Sequence, residues 1–129
     1  MGFRHEPILA VKHYAYGSSG TGASSADPAS PVDSDIHVIE AGTVISGVDV
    51  IIKTAVTGSI DVGDDDDADG FAATAGITEG TPGIYVGAGA YSADRATKKY
   101  YSASGKEVKL DATTISAGSF AVVVYGYRI

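Results

Sequence analysis

The chain has 129 residues, a formal net charge of −7, and neither cysteine nor tryptophan. A domain of this length buries roughly two thirds of its unfolded surface, so one self-sufficient hydrophobic core is expected. The nine Lys and Arg residues are too few and too scattered to neutralise a phosphate backbone, which argues against nucleic-acid binding. Without cysteine, a disulfide framework and a thiolate metal site are excluded.

Residues 1–7 lack the apolar core of a signal peptide, and no apolar run, including that at residues 121–125, is long enough to cross a bilayer. We therefore expect a soluble protein that binds no membrane and is made and used without secretion. Glycine accounts for 17 of the 129 residues, about twice its usual share. Such a composition suits tight turns between many short strands better than it suits helices.

Residues 1–34 are predicted to form an extended N-terminal arm with a flexible linker, separate from a β-domain at residues 35–129. Residues 7–16 are apolar and β-prone and predict one strand, whereas residues 17–34 are rich in Gly, Ser, Ala and Pro. This piece is interpreted either as a frayed terminus or as an arm that adds a strand to a neighbouring subunit. The second interpretation assigns partner binding to Ile8, Leu9, Val11, Tyr14 and Tyr16.

From residue 35 onward the pattern predicts short strands separated by turns, with no helical periodicity. Strands are predicted at residues 36–40, 44–54, 60–62, 83–87 and 119–129. Residues 98–103 and 106–110 flank Ser104-Gly105, which predicts a two-residue hairpin. The last strand is apolar on both faces and is therefore expected to be central or covered on both sides. Seven to nine strands predict an all-β sandwich or jelly-roll-like domain of short antiparallel strands.

Residues 64–69 carry five carboxylates in six positions and cannot be packed together into a core. Asp65, Asp67 and Asp69, followed by Gly70, match the first half of the EF-hand pattern. The twelfth position is Gly76 rather than a bidentate Glu, so an EF-hand is rejected. Two interpretations remain for this acidic loop (residues 64–69): a solvated surface loop, and a looser Ca²⁺ site formed by its three alternating carboxylates.

No set of residues predicts catalysis. His5, His13 and His37 do not have a metal-ligand spacing, no nucleophile elbow is present, and a glycosidase cleft would lack tryptophan. The chain is therefore predicted to be non-enzymatic and to need no cofactor apart from the possible Ca²⁺. Tyr100 and Tyr101 are consecutive in a strand and point to opposite faces, so at least one is expected to face solvent or a partner.

From about Val38 to Ile129 the chain resembles the small decoration, or cement, proteins of tailed-phage virions. The stretches that carry the likeness are residues 39–44 (Ile-Glu-Ala-Gly-Thr-Val), Val48-Asp49-Val50, residues 60–63 (Ile-Asp-Val-Gly), Asp69-Gly70-Phe71 and the closing strand at residues 118–125.

The resemblance implies a virion protein without catalytic residues. Such a protein is made in the host cytoplasm, binds the major capsid protein on the outer capsid surface, often as a homotrimer, and stabilises the shell. Two alternatives stay open. One is a small phage tail or fibre-attachment protein, and the other is a Ca²⁺-dependent module that binds carbohydrate or another surface ligand.

Overall fold

The structure, a computed structural model, describes residues 7–15, 32–87 and 99–129. Its strands are β1 (Ile8–Ala15), β2 (Val32–Val38), β3 (Thr43–Gly63), β4 (Gly83–Val86), β5 (Lys99–Tyr101) and β6 (Glu107–Arg128), and a 3-10 turn lies at Thr74–Gly76. Within these residues there is no helix with the length and hydrophobicity needed to cross a membrane.

The sheet is built on β3 and β6, which pair antiparallel from Thr43 opposite Arg128 to Gly63 opposite Lys109. Strands β1 and β2 pair with the other edge of β6, and β4 and β5 pair with the other edge of β3. The result is a six-stranded antiparallel sheet that curls into a closed, barrel-like form. The prediction of an all-β, sandwich or jelly-roll-like domain is confirmed.

The sheet has two halves, because the pairing of β3 with β6 is irregular between residues 52 and 59. Gly118 lies at this irregularity with φ +98°, and a Cβ there would lie 2.3 Å from the Ala55 carbonyl oxygen, so only glycine fits. We call the half formed by residues 43–52, residues 119–128, β1, β4 and β5 the apolar half. The acidic half comprises residues 59–63, residues 107–112 and β2.

Alternate residues of the two long strands point into one core, as the period of two requires. The inward side chains of the apolar half are Val48, Val50, Ile52, Phe120, Val122 and Val124, each at most 2% exposed. On the opposite face of β6, Ala121 and Val123 are also buried. The prediction that this strand is central or covered on both sides is confirmed, since β6 lies between β3 and β1.

Three local predictions differ from the structure. In the described parts of the chain the strands are fewer and longer than predicted, because Gly58 with φ +132° lies at a register shift within β3 and the strands predicted at residues 44–54 and 60–62 are continuous there. The hairpin predicted around Ser104-Gly105 is wrong, since β5 pairs with β3 and residues 107–112 pair with β2 and β3. Strand β2 begins at Val32, inside the stretch predicted to be a linker.

The N-terminal segment lies inside the sheet. Residues of β1 pair with β6 from Ile8 opposite Tyr125 to Ala15 opposite Ser119. Tyr14 is fully buried and stacks on Phe120, with ring centroids 5.0 Å apart. The segment predicted as a separate arm is therefore an edge strand of the domain in the structure.

Candidate functional site

The acidic loop folds around Asp64, the first residue after β3. Asp64 Oδ1 accepts hydrogen bonds from the backbone N–H groups of Asp66 and Asp67, both at 3.0 Å. The turn is tight, and a Cβ on Gly63 would lie 2.0 Å from the Asp67 carbonyl oxygen. A short aspartate side chain after a glycine thus replaces the strand hydrogen bonds that end at Gly63.

The second oxygen of Asp64 joins the loop to β5. Asp64 Oδ2 lies 2.8 Å from Lys99 Nζ and accepts a hydrogen bond from the Tyr101 hydroxyl at 2.5 Å. The Asp64 side chain has no solvent exposure, and the ammonium group of Lys99 also lies 5.0 Å from the centre of the Tyr101 ring. This buried carboxylate is stable because a cation, a hydroxyl and two N–H groups surround it.

Two more lysines pair with Asp65 and Asp66 of the loop. Lys106 lies 2.7 Å from Asp66, which also pairs with Lys99, and Lys109 lies 3.5 Å from Asp65. The hydrogen bond from Lys106, then that from Lys99, holds the pKa of Asp66 below its usual value. The acidic loop is therefore one side of an ion-pair network whose basic side comes from β5, the β5–β6 connection and β6.

The three residues proposed for Ca²⁺ do not share one centre. Asp65 faces Lys109, whereas Asp67 Oδ1 accepts a hydrogen bond from the backbone N–H of Asp69 at 3.4 Å. A side-chain hydrogen bond with Asp67 raises the pKa of Asp69. In residues 7–15, 32–87 and 99–129, no three His, Asp or Glu side chains are placed to hold a metal ion.

A second group of carboxylates lies on the outer face of the acidic half. Asp61 and Asp111 face each other across β3 and β6. Asp61 Oδ1 accepts from the Thr74 N–H at 2.7 Å, and Glu79 accepts from the Thr74 hydroxyl and from the Ile60 N–H. Desolvation raises the pKa of Asp61, and the charges of Asp111 and Glu79 add to the rise against the effect of the Thr74 hydrogen bond.

The structure separates the residues predicted to bind a partner. Tyr14 and Tyr101 are buried in the core, and Leu9 packs partly against it. Ile8, Val11 and Tyr100 are exposed by 47–58%. Tyr16 lies outside the residues that the structure describes.

The exposed members belong to a larger surface on the outer side of the apolar half, which we call the apolar face. Successive side chains of a strand point to opposite sides of the sheet, and paired residues point to the same side. Counted from the inward residues, six exposed side chains therefore point outward: Ile8, Val11, Ile84, Val86, Tyr100 and Tyr127. Strand register places five of the six in three rows: Tyr100–Val44–Tyr127, Val11–Val123–Asp49–Val86 and His13–Ala121–Ile51–Ile84. Val44, Asp49, Ala121 and Val123, in the middle of these rows, are buried.

Sequence reasoning missed the lysine partners of the acidic loop and the exposed residues of β4. The lysines lie 30 to 45 positions after the loop, and only the fold shows that they converge on it. Residues 83–86 alternate glycine or tyrosine with Ile84 and Val86, a period of two that places these two side chains on one face. That pattern predicts which residues share a face, and the sheet shows that this face is the outer one.

No protein-family model and no curated protein matches the chain. Among solved structures, a chain of the cyanophage Pam1 capsid asymmetric unit is similar over the whole of this chain and 91% of its own length. The TM-score is 0.54 and the sequence identity is 17%. At this identity the similarity shows a common fold.

Proposed function

We propose that this chain is a non-enzymatic structural protein of a phage virion. In this proposal it is a decoration or cement protein that binds the major capsid protein on the outer surface of the shell, as a homotrimer, and stabilises it. The observation that carries the proposal is the fold shared, over its full length, with a chain of a phage capsid asymmetric unit.

The arrangement of the polar groups supports a structural role. The buried Asp64 is surrounded by Lys99, Tyr101 and two backbone N–H groups, so its charge holds a loop in place. The exposed carboxylates of the acidic half keep copies of the protein soluble at the high local concentration of a virion surface. Stability and solubility are the properties that a permanent component of a shell needs.

The test is binding to shells of the phage that encodes the chain. Capsids purified without this protein are mixed with it and sedimented, and the bound amount is measured against added protein. We expect saturable binding at a fixed ratio to the major capsid protein, together with a higher temperature of capsid disruption. EDTA should leave the binding unchanged, because the proposal involves no cofactor.

Two outcomes would contradict the proposal. Absence of the protein from sedimented capsids at saturating concentration would exclude a decoration role. Its presence only in tail fractions of intact virions would favour a tail or fibre-attachment protein instead.

A further inference from the structure

The ion pair between Lys99 and Asp64 places an amine beside a buried carboxyl group. Lys99 Nζ lies 2.8 Å from Asp64 Oδ2, and the Asp64 side chain has no solvent exposure. The carboxyl carbon is bonded to this oxygen, so it lies one bond beyond the atom that the amine contacts. Folding therefore holds together the two groups that condense to an amide, and groups held in this way react as if at about 10⁵–10⁸ M.

The reactive form of the pair is the neutral one. An ammonium group has no lone pair with which to attack, and a carboxylate is a poor electrophile. Transfer of one proton from Lys99 Nζ to Asp64 Oδ2, along the hydrogen bond that already joins them, gives an amine and a carboxylic acid. Burial favours this transfer, because two charges away from water lose their hydration and a neutral pair does not.

The other groups around Asp64 match the steps of amide formation. Attack of Nζ on Cγ moves negative charge to Oδ1, which accepts hydrogen bonds from the backbone N–H groups of Asp66 and Asp67 at 3.0 Å, the arrangement of an oxyanion hole. Oδ2, which becomes the leaving oxygen, accepts from the Tyr101 hydroxyl at 2.5 Å. Asp66 Oδ2 lies 3.0 Å from Lys99 Nζ and can take the proton that the nitrogen loses.

We propose that Lys99 and Asp64 form an intramolecular amide, or isopeptide, bond in the folded protein. The Nζ–Cγ bond forms, the Cγ–Oδ2 bond breaks, and one water molecule leaves. The nitrogen gives one proton to Oδ2 and a second to Asp66. The Tyr101 hydroxyl protonates the departing oxygen, and the proton on Asp66, whose side chain is 48% exposed, restores the phenol through solvent. In sum, an ammonium and a carboxylate become an amide and water, with no oxidant or cofactor.

The bond ties the two ends of β3 together. Asp64 follows Gly63, the last residue of β3, whereas Lys99 lies on β5 opposite Ile45, near the start of β3. An ion pair at this position can open and close, but an amide holds the curled sheet closed permanently. Folding assembles the ion pair first, so the ion-paired protein is the reactant and the amide accumulates from it. This inference is independent of binding to a shell.

The experiment is the mass of the intact full chain, followed by mass spectrometry while the purified protein is incubated. Wild-type protein should lose one water molecule per chain. Lys99→Arg keeps a positive charge beside Asp64 but removes the amine, so it should keep its full sequence mass with an unchanged circular dichroism spectrum. Lys106→Arg is the matched control, because Lys106 pairs with Asp66 at 2.7 Å and takes no part in the bond. It should lose water as the wild type does.

Digestion with trypsin locates the bond. An amide on Lys99 blocks cleavage after this residue and joins the peptide of residues 54–95 to that of residues 99–106. Wild-type protein that keeps its full sequence mass overturns the inference. So does a loss of water that persists in Lys99→Arg or that maps to another site, such as a succinimide at Asp69-Gly70.

Tyr101→Phe tests the reaction even if Lys99→Arg fails to fold, because it keeps both members of the pair. It should slow the loss of water, since the departing oxygen then lacks its proton donor. A rate equal to that of the wild type overturns the role assigned to Tyr101.

Discussion

Asp64 is the residue at which the ion-pair network is most sensitive. Its carboxylate is fully buried against Lys99, whose side chain is 21% exposed. Removing one partner of a buried pair leaves an uncompensated charge, which costs about 3–5 kcal/mol. We expect Asp64→Asn to lower the free energy of unfolding by about 3 kcal/mol in urea denaturation at neutral pH.

The control for this substitution is Asp65→Asn in the same loop. Its pair with Lys109 is 3.5 Å long and both side chains are about one third exposed, so its loss should cost less than about 1 kcal/mol. Equal effects of the two substitutions would contradict the prediction, because they would show that burial of Asp64 does not increase its contribution to the free energy of unfolding.

Replacing Asp61 should raise the free energy of unfolding, whereas replacing Asp64 should lower it. The pKa of Asp61 is raised above its usual 3.8, so the folded state holds the proton more tightly than the unfolded state does. Ionised Asp61 therefore destabilises the protein near neutral pH, and this cost disappears as the pH falls through the raised pKa toward 3.8. Asp61→Asn keeps an oxygen that can accept from Thr74 and removes the like charge opposite Asp111.

We expect Asp61→Asn to stabilise the protein by up to about 1 kcal/mol near pH 7, the range measured for cross-strand pairs. The gain should shrink as the pH approaches 3.8, where wild-type Asp61 is itself protonated. Thermal unfolding of both proteins across this pH range measures the effect. A gain that stays constant with pH would mean that the charge of Asp61 is not its cause.

At the scale of elements, β1 contributes to the core and to the surface through alternate residues. Tyr14 is fully buried on Phe120, whereas Val11 is 47% exposed on the apolar face. Truncating a large buried aromatic side chain costs about 3–5 kcal/mol. We expect Tyr14→Ala to lower the free energy of unfolding by about that amount in urea denaturation, and Val11→Ala to change it little. Similar small effects of both would mean that β1 is not bound in the core.

The elements also show what the sequence can and cannot predict. Period-two alternation at Val48, Val50 and Ile52 and the two-sided apolarity of residues 119–125 predicted strands that the structure contains. Glycine was the main source of error, because Gly58 and Gly118 have positive φ at register shifts inside long strands. Glycine permits a turn and a bulge equally well, and pairing partners distant in the chain decide between them.

Less of the candidate site than of the fold could be predicted, because its contacts also join residues that are distant in the chain. The concentration of carboxylates at residues 64–69 identifies the loop, but its lysine partners come from β5, the β5–β6 connection and β6. Exposure of Ile84 and Val86 depends on which strand is at the edge of the sheet, and local sequence carries no information on strand order.

At the scale of the whole molecule, the two halves of the sheet differ in the chemistry of their side chains. The acidic half combines ion pairs with exposed carboxylates, and the apolar half contains the buried side chains that β3 and β6 share.

The central position of β6 has a consequence for how the chain is made. Strands β1, β2 and β3 all take β6 as their main partner, yet β6 leaves the ribosome after every one of them. During synthesis these strands are made before their hydrogen-bonding partner. Pairs as distant as Thr43 and Arg128 form only after residue 128 has left the ribosome. The sheet therefore forms only after β6 has been made, through long-range pairing, which is the slow route for a β-protein.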